Sequence, residues 1–271
     1  MTSPSEPPRR AHRHDLAKET KSLIPSIMGP IEMSRYSVKY PNLLSPLWLV
    51  PGVSKPKITV HNLDSFTAAK NILDANPLAK VAVHNMASER HAGGGWLKGA
   101  LAQEEALCLR STLSATLHRH YYPLSTFAAI WSPKVAVFRD EVDSWCRIYQ
   151  PDDIFIVGVV SLAALRRPQL SSEKDQFNHP GDILVVKDKI RQVLRIMGRF
   201  RITHCVLGAM GCGAFHNPPK EVARIYKEVL NEPEWHGYFE EISFAVLDSK
   251  REGNFRIFKD ALQSDEWFAG S

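Results

Sequence analysis

Along residues 57 to 263 the apolar positions switch repeatedly between short continuous runs and spacings of three and four. The runs KITVHNL (57–63), AKVAVHNM (79–86), KVAVFRD (134–140), DIFIVGVV (153–160), HCVLGAM (204–210) and EISFAVLD (241–248) predict buried strands. Between them, SFTAAKNILDA (65–75), QEEALCLRSTLSATL (103–117), a stretch near 183–198, KEVARIYKEVL (220–230) and NFRIFKDALQ (254–263) line up apolar residues on one helical face. Upstream, the residues from 16 predict a short helix broken at Pro25, and the proline-rich stretch 40–57 predicts irregular chain. Strands alternating with helices imply an α/β fold: a mixed or mainly parallel sheet between two helical layers, with ligands at the carboxyl ends of its strands.

Composition narrows this. A chain of 271 residues with 44% hydrophobic and 23% charged residues suits one globular core. Residues 1–14, with the cluster PRRAHRH, are expected to form a flexible basic tail, leaving 15–271 as a single domain. No run of about 18 apolar residues predicts a membrane span, and the N-terminal stretch lacks the apolar core of a secretion signal, so an intracellular address, nuclear or cytoplasmic, is expected. The net charge of +5 is spread along the chain, which argues against direct nucleic-acid binding. Cys108, Cys146, Cys205 and Cys212 lie far apart, suggesting buried free thiols rather than a disulfide framework or a zinc site.

Two glycine-rich loops each follow a strand and precede a helix. In HAGGGWLKGALAQEE (91–105), three glycines (Gly93, Gly94, Gly95) are followed by seven residues and then Gln103, Glu104 and Glu105. In GAMGCGAFHNPP (208–219), the amides of Gly211, Cys212, Gly213, Ala214 and Phe215 suit a concave anion site in front of a helix. Neither loop ends in the Lys-Ser/Thr of a P-loop. Adjacent acids on a helix point about 100° apart, so Glu104 and Glu105 are expected to differ in role, one as general acid or base and the other as a binder of sugar hydroxyls. A first-turn position should lower a carboxyl pKa, opposing use as a donor, and a bound phosphate should raise it again. Asn85, at the end of a strand, is suited either to a ribose hydroxyl or to fixing the loop backbone. His84 and His61 suit packing. Trp96 and Phe215 are suited either to stacking on a base or ribose or to anchoring their loops. His118 and His120 are expected near the end of the acidic helix.

Taken as a set, these stretches resemble the catalytic domain of the poly(ADP-ribose) glycohydrolases, in the spacing of their bacterial or microbial type. The GGG-x7-QEE signature is accompanied by VLGAMGCGAFHNPPKEVARIY, with VAVHNMAS, WSPKVAVFRD and ISFAVLD in matching order, so the resemblance spans roughly residues 15–262. Ala92 and Trp96 depart from the residues usual beside the glycines, and VSLAALRRPQL matches less closely. The resemblance implies a three-layer, macrodomain-like fold and hydrolysis of the ribose–ribose O-glycosidic bonds of poly(ADP-ribose), with neither metal nor cofactor. It makes Glu105 the catalytic acid, Glu104 a contact to the adjacent ribose, Gln103 a positioning group and Asn85 the holder of the distal ribose. Gly93–Gly95 would line the ribose and diphosphate, with Gly211–Phe215 as the second diphosphate loop. Poly(ADP-ribose) or ADP-ribosylated proteins are the implied partners, met by a monomer reversing ADP-ribosylation. The alternatives are cleavage of another ADP-ribosyl bond, on a protein or nucleic acid, and a module that binds ADP-ribose without cutting it.

Overall fold

Strands from Val38 to Ala245 join in one seven-stranded mixed sheet, in a computed structural model that describes residues 10–32, 35–48, 54–142, 146–249 and 252–263. The strands are β1 (Val38–Tyr40), β2 (Lys57–His61), β3 (Val81–Met86), β4 (Ala129–Val137), β5 (Phe155–Leu162), β6 (His204–Leu207) and β7 (Glu241–Ala245). Their order across the sheet is β1-β4-β5-β3-β6-β7-β2. β1 and β4 run antiparallel to their neighbours, and β5, β3, β6, β7 and β2 are mutually parallel.

Side chains alternate between two cores, as the two-residue period of a strand requires. Ala82, Val160, Leu162, Cys205, Leu207, Ile242 and Phe244 face one cluster. It is covered by α4 (Pro180–Arg199), α5 (Pro219–Leu230) and α6 (Asn254–Leu262). Val81, Val83, Val157, Val159, Val206 and Ala245 face the other. That side carries α1 (Arg10–Met28), α2 (Ser65–Ala75) and α3 (Gln103–Arg110). The three-layer α/β/α arrangement expected from the alternation is therefore present, and β3 lies at its centre. The loops following β5, β3 and β6 sit side by side at the carboxyl edge.

α2 begins where the sequence indicates because the Asp64 carboxylate accepts from the Phe66 and Thr67 amides at 2.9 and 3.2 Å. The same carboxylate pairs with Arg110, a residue only 2% exposed at the end of α3, so the start of one helix fixes the end of the other.

Four expectations need correction. Residues 10–14 are not tail: α1 starts at Arg10, and the Arg10 and Arg13 guanidinium Nε atoms donate to the Lys98 and Gly99 carbonyls at 3.1 and 3.0 Å. Residues 1–9, 49–53 and 264–271 lie outside the described residues. α1 also continues through Pro25 to Met28, because Leu16, Thr20, Ile24 and Met28 form a buried stripe at helical spacing that outweighs one lost backbone bond in the last turn. α3 stops at Arg110 rather than running to 117. Ser111 is extended and bridges Val137, while the Thr112 amide and hydroxyl engage the Ala136 carbonyl and amide, each at 3.0 Å. Finally, β4 begins at Ala129, ahead of the 134–140 run, and passes Pro133 through a register shift between Ser132 and Val135.

Candidate functional site

β3 ends at Met86, and the chain loops through residues 87–95 before α3 begins. This loop folds over the N-terminus of α3 and is tied to it by Glu104 and Glu105, while Gln103 ties α3 to the strand. Gln103 grips the strand end: its carbonyl oxygen accepts from the Met86 amide at 2.8 Å, and its amide donates to the His84 carbonyl at 2.7 Å and the Ser65 hydroxyl at 3.1 Å. Its side chain is thus occupied in positioning α3 against β3. Glu105 uses both carboxylate oxygens, one accepting from Gly95 N at 2.8 Å and the other from Ala102 N at 2.9 Å. The Ala102 bond is half of a capping box, closing the first turn from inside.

Glu104 is 3% exposed and accepts from Ser88 N at 2.7 Å and from the Asn85 side-chain amide at 3.4 Å. Burial raises its pKa to about 8, against the pull of the Ser88, Asn85 and Gly93 donors, with the neighbouring Glu105 raising it further. The first-turn expectation of a lowered pKa is reversed for this residue: the cost of desolvating a charge exceeds the stabilisation offered by the helix terminus.

The two acids do not face different ways. A Cβ on Gly94 would lie 2.3 Å from Glu105 Oε1 and 3.1 Å from Glu104 Oε2, so both carboxyl groups close on the same glycine. Gly94 has φ of +58°, and the absence of a side chain there admits the loop between the acids. Adjacent Cβ directions diverge, but three further torsions let each long side chain curl back onto the loop. Beneath it, Trp96 is 4% exposed and packs under Gly93, as does the Cys108 thiol. Trp96 therefore anchors the loop and does not present a stacking surface.

Asn85 is wholly buried behind Glu104 and also donates to Ser161 Oγ, at 2.9 Å, on the paired strand β5. His84, on the opposite face of β3, is buried and neutral, its pKa pushed down to about 4 by desolvation. Among the described residues the buried Tyr122 hydroxyl has no hydrogen-bond partner, and its pKa is raised by burial and then by the proximity of Glu104. His118 and His120 stack at 5.5 Å in a segment of their own, beyond the actual end of α3.

The second glycine loop follows β6, the neighbour of β3. Cys212 turns inward, its thiol toward the Met210 carbonyl, and burial pushes its pKa up. Gly213 and Ala214 are exposed and Phe215 half-buried, with their three amides taking no protein acceptor among the described residues. Asn217 holds the loop shape by donating to the Leu165, Gly211 and Phe215 carbonyls at 2.7, 3.2 and 3.3 Å. Of the anticipated residues, Glu104, Glu105, Gly93–Gly95, Gln103 and Asn85 form one connected cluster, and residues 211–215 line the adjacent loop. Ser65, Ser88, Ser161 and Tyr122 were not singled out by the sequence. Ser161 joins through strand register alone, Asn85 opposite Ser161, which no local motif announces. Among the described residues no group of His, Cys, Asp and Glu is placed to hold a metal ion.

Residues 35–140 match the family model described as the microbial-type PARG catalytic domain. Among solved structures, poly(ADP-ribose) glycohydrolase from Thermomonospora curvata is 25% identical, with a TM-score of 0.76 over 92% of this chain and 99% of that one. The same enzyme bound to the inhibitor ADP-HPD gives 27% identity and a TM-score of 0.74, covering 91% and 97%. The Deinococcus radiodurans enzyme in complex with ADP-ribose gives 26% identity and a TM-score of 0.66, covering 92% of each chain. No curated protein sequence matches the chain.

Proposed function

We infer that the chain, which resembles microbial-type PARG in sequence and fold, is a poly(ADP-ribose) glycohydrolase that releases ADP-ribose from the polymer. The observation that carries this reading is the convergence of Glu104 and Glu105 on Gly94, in a loop beside a second glycine loop with free amides. Structures of similar proteins holding ADP-ribose and an ADP-based inhibitor fit the same assignment.

In the proposed reaction Glu105 protonates the departing ribose oxygen as the glycosidic bond breaks. The oxocarbenium-like centre that forms is stabilised by the neighbouring diphosphate. Water then adds to the anomeric carbon and gives a proton back to Glu105, restoring the acid. Supporting this role, the two Glu105 oxygens are fixed by Gly95 N and Ala102 N, which sets the group's position before substrate arrives. Glu104, kept neutral near pH 7 by burial, leaves the pair with at most one negative charge and is suited to a ribose hydroxyl. Asn85 is assigned mainly to Glu104, because its complete burial leaves no face for a sugar. The amides of 213–215 suit the diphosphate.

The same reading makes poly(ADP-ribose), or proteins carrying it, the partner. Four free, buried cysteines suit a reducing compartment, in keeping with action in the nucleus or cytoplasm, and no described helix is long and apolar enough to cross a membrane. The decisive experiment incubates wild type and Glu105→Gln with labelled polymer and measures ADP-ribose binding in parallel. The variant is expected to bind ADP-ribose and release none; wild-type turnover by the variant refutes the assignment of Glu105. Release from mono-ADP-ribosylated protein but not from polymer would refute the polymer as substrate.

A further inference from the structure

One charged group spans the carboxyl edge of the sheet without a role in the reaction above. Arg166 follows β5, and its guanidinium sits over the Phe215 ring, 5.1 Å from the centroid, in the loop after β6. It also pairs at 3.5 Å with Glu89 in the loop after β3. Because β3 lies between β5 and β6, this side chain links the loop after β5 to both of the loops that carry the glycines.

The backbone at each end is fixed. Arg167 N donates to the Phe215 carbonyl at 2.9 Å, Asn217 holds Leu165, and the Glu89 carbonyl accepts from Leu124 N at 2.8 Å. Glu89 directly follows Ser88, whose amide holds Glu104. The ion pair itself is loose: Arg166 is 46% exposed and Glu89 23%, and Glu89 is shared with Arg90 at 3.1 Å. A pair of this kind contributes little, so exchanging its carboxylate for a doubly charged anion costs little. A guanidinium offers paired donors that match phosphate oxygens, and stacking on Phe215 fixes its plane in advance.

We propose that Arg166 is a charge-exchange clamp for a nucleoside diphosphate: it leaves Glu89 and binds the diphosphate of ADP-ribose while staying stacked on Phe215, with Glu89 as the competitor that holds it in reserve. This rests on the glycohydrolase reading. It adds a charged contact to a site otherwise built from backbone amides, and it gives Glu89 an inhibitory sign.

The test measures ADP-ribose affinity by calorimetry for wild type, Arg166→Ala, Glu89→Gln and the double variant, with polymer hydrolysis followed for each. Arg166→Ala is expected to weaken binding about 5- to 10-fold, short of a buried charge-assisted bond because the group is half-exposed. It should also flatten the dependence of affinity on salt. Glu89→Gln should tighten binding roughly 2- to 3-fold, and the double variant should match Arg166→Ala. A residue that merely braced the loops would make both single variants weaker. Unchanged affinity in Arg166→Ala, or tightening by Glu89→Gln that survives without Arg166, overturns the clamp while leaving the enzyme assignment intact. Wild type that neither binds ADP-ribose nor cuts polymer overturns both.

Discussion

Replacing Gly94 with alanine isolates the geometry on which the proposed chemistry depends. The new Cβ would lie 2.3 Å from Glu105 Oε1, where ordinary contact begins at 3.4 Å, so the carboxylate oxygen must retreat by roughly 1 Å. That retreat breaks or bends the 2.8 Å bond from Gly95 N. At φ of +58° an alanine also carries a backbone penalty of about 1–2 kcal/mol. Loss of the Gly95 bond adds about 1 kcal/mol, for a total near 2–3 kcal/mol. A protein of this size should survive that loss folded. Turnover should suffer more, since a displacement of about 1 Å in a reacting group costs on the order of 10²-fold. Urea denaturation and single-turnover release of ADP-ribose measure the two effects separately. A folded Gly94→Ala protein cutting polymer at the wild-type rate would refute the view that the glycine exists to seat the acids.

Three other perturbations probe the same cluster. Glu104 stays protonated up to about pH 8 when folded but ionises near 4.5 when unfolded, so its contribution is complete below pH 4.5 and is lost as pH rises through 8. Over that window wild type should lose roughly 3–5 kcal/mol that Glu104→Gln does not lose. Urea midpoints compared at pH 5 and 9 check this, and parallel profiles count against the burial argument. Gln103→Ala strands the Met86 amide and the His84 carbonyl, so it should cost about 2–3 kcal/mol and lower turnover through misplacement of α3, with ADP-ribose affinity less affected. Ser161→Ala should lower turnover only mildly, because Asn85 keeps its bond to Glu104; a loss matching Glu105→Gln would mean that the strand register matters more than the contacts indicate.

The legible and illegible parts of the molecule divide by the range of the forces involved. α2 was readable to the residue because its start is set by Asp64, within its own sequence neighbourhood. The extent of α3 was not, because the competitor that ends it is β4, and the Thr112–Ala136 pairing has no trace in the apolar spacing of 103–117. Pro133 likewise hid the first half of β4, since only an irregular register accommodates it. At the site, the glycines and acids announced themselves by composition, but their roles depended on tertiary placement. The opposed reading of Glu104 and Glu105 followed from helix geometry alone; the loop wrapped over the helix end draws the two carboxyl groups together. The contacts of Asn85 with Glu104 and Ser161, and its complete burial, are likewise visible only in the fold.

The buried thiol under the glycine loop has an experimental use. Cys108 is inaccessible and its ionisation is suppressed, first by burial and then by the two acids above it, as the other three cysteines are also buried. Thiolate reagents therefore have nothing to attack while the loop is seated. Its rate of alkylation in the native protein reports how often the Gly93–Gly95 roof lifts, and slowing of that rate by ADP-ribose would time the opening and closing of the site without an added label.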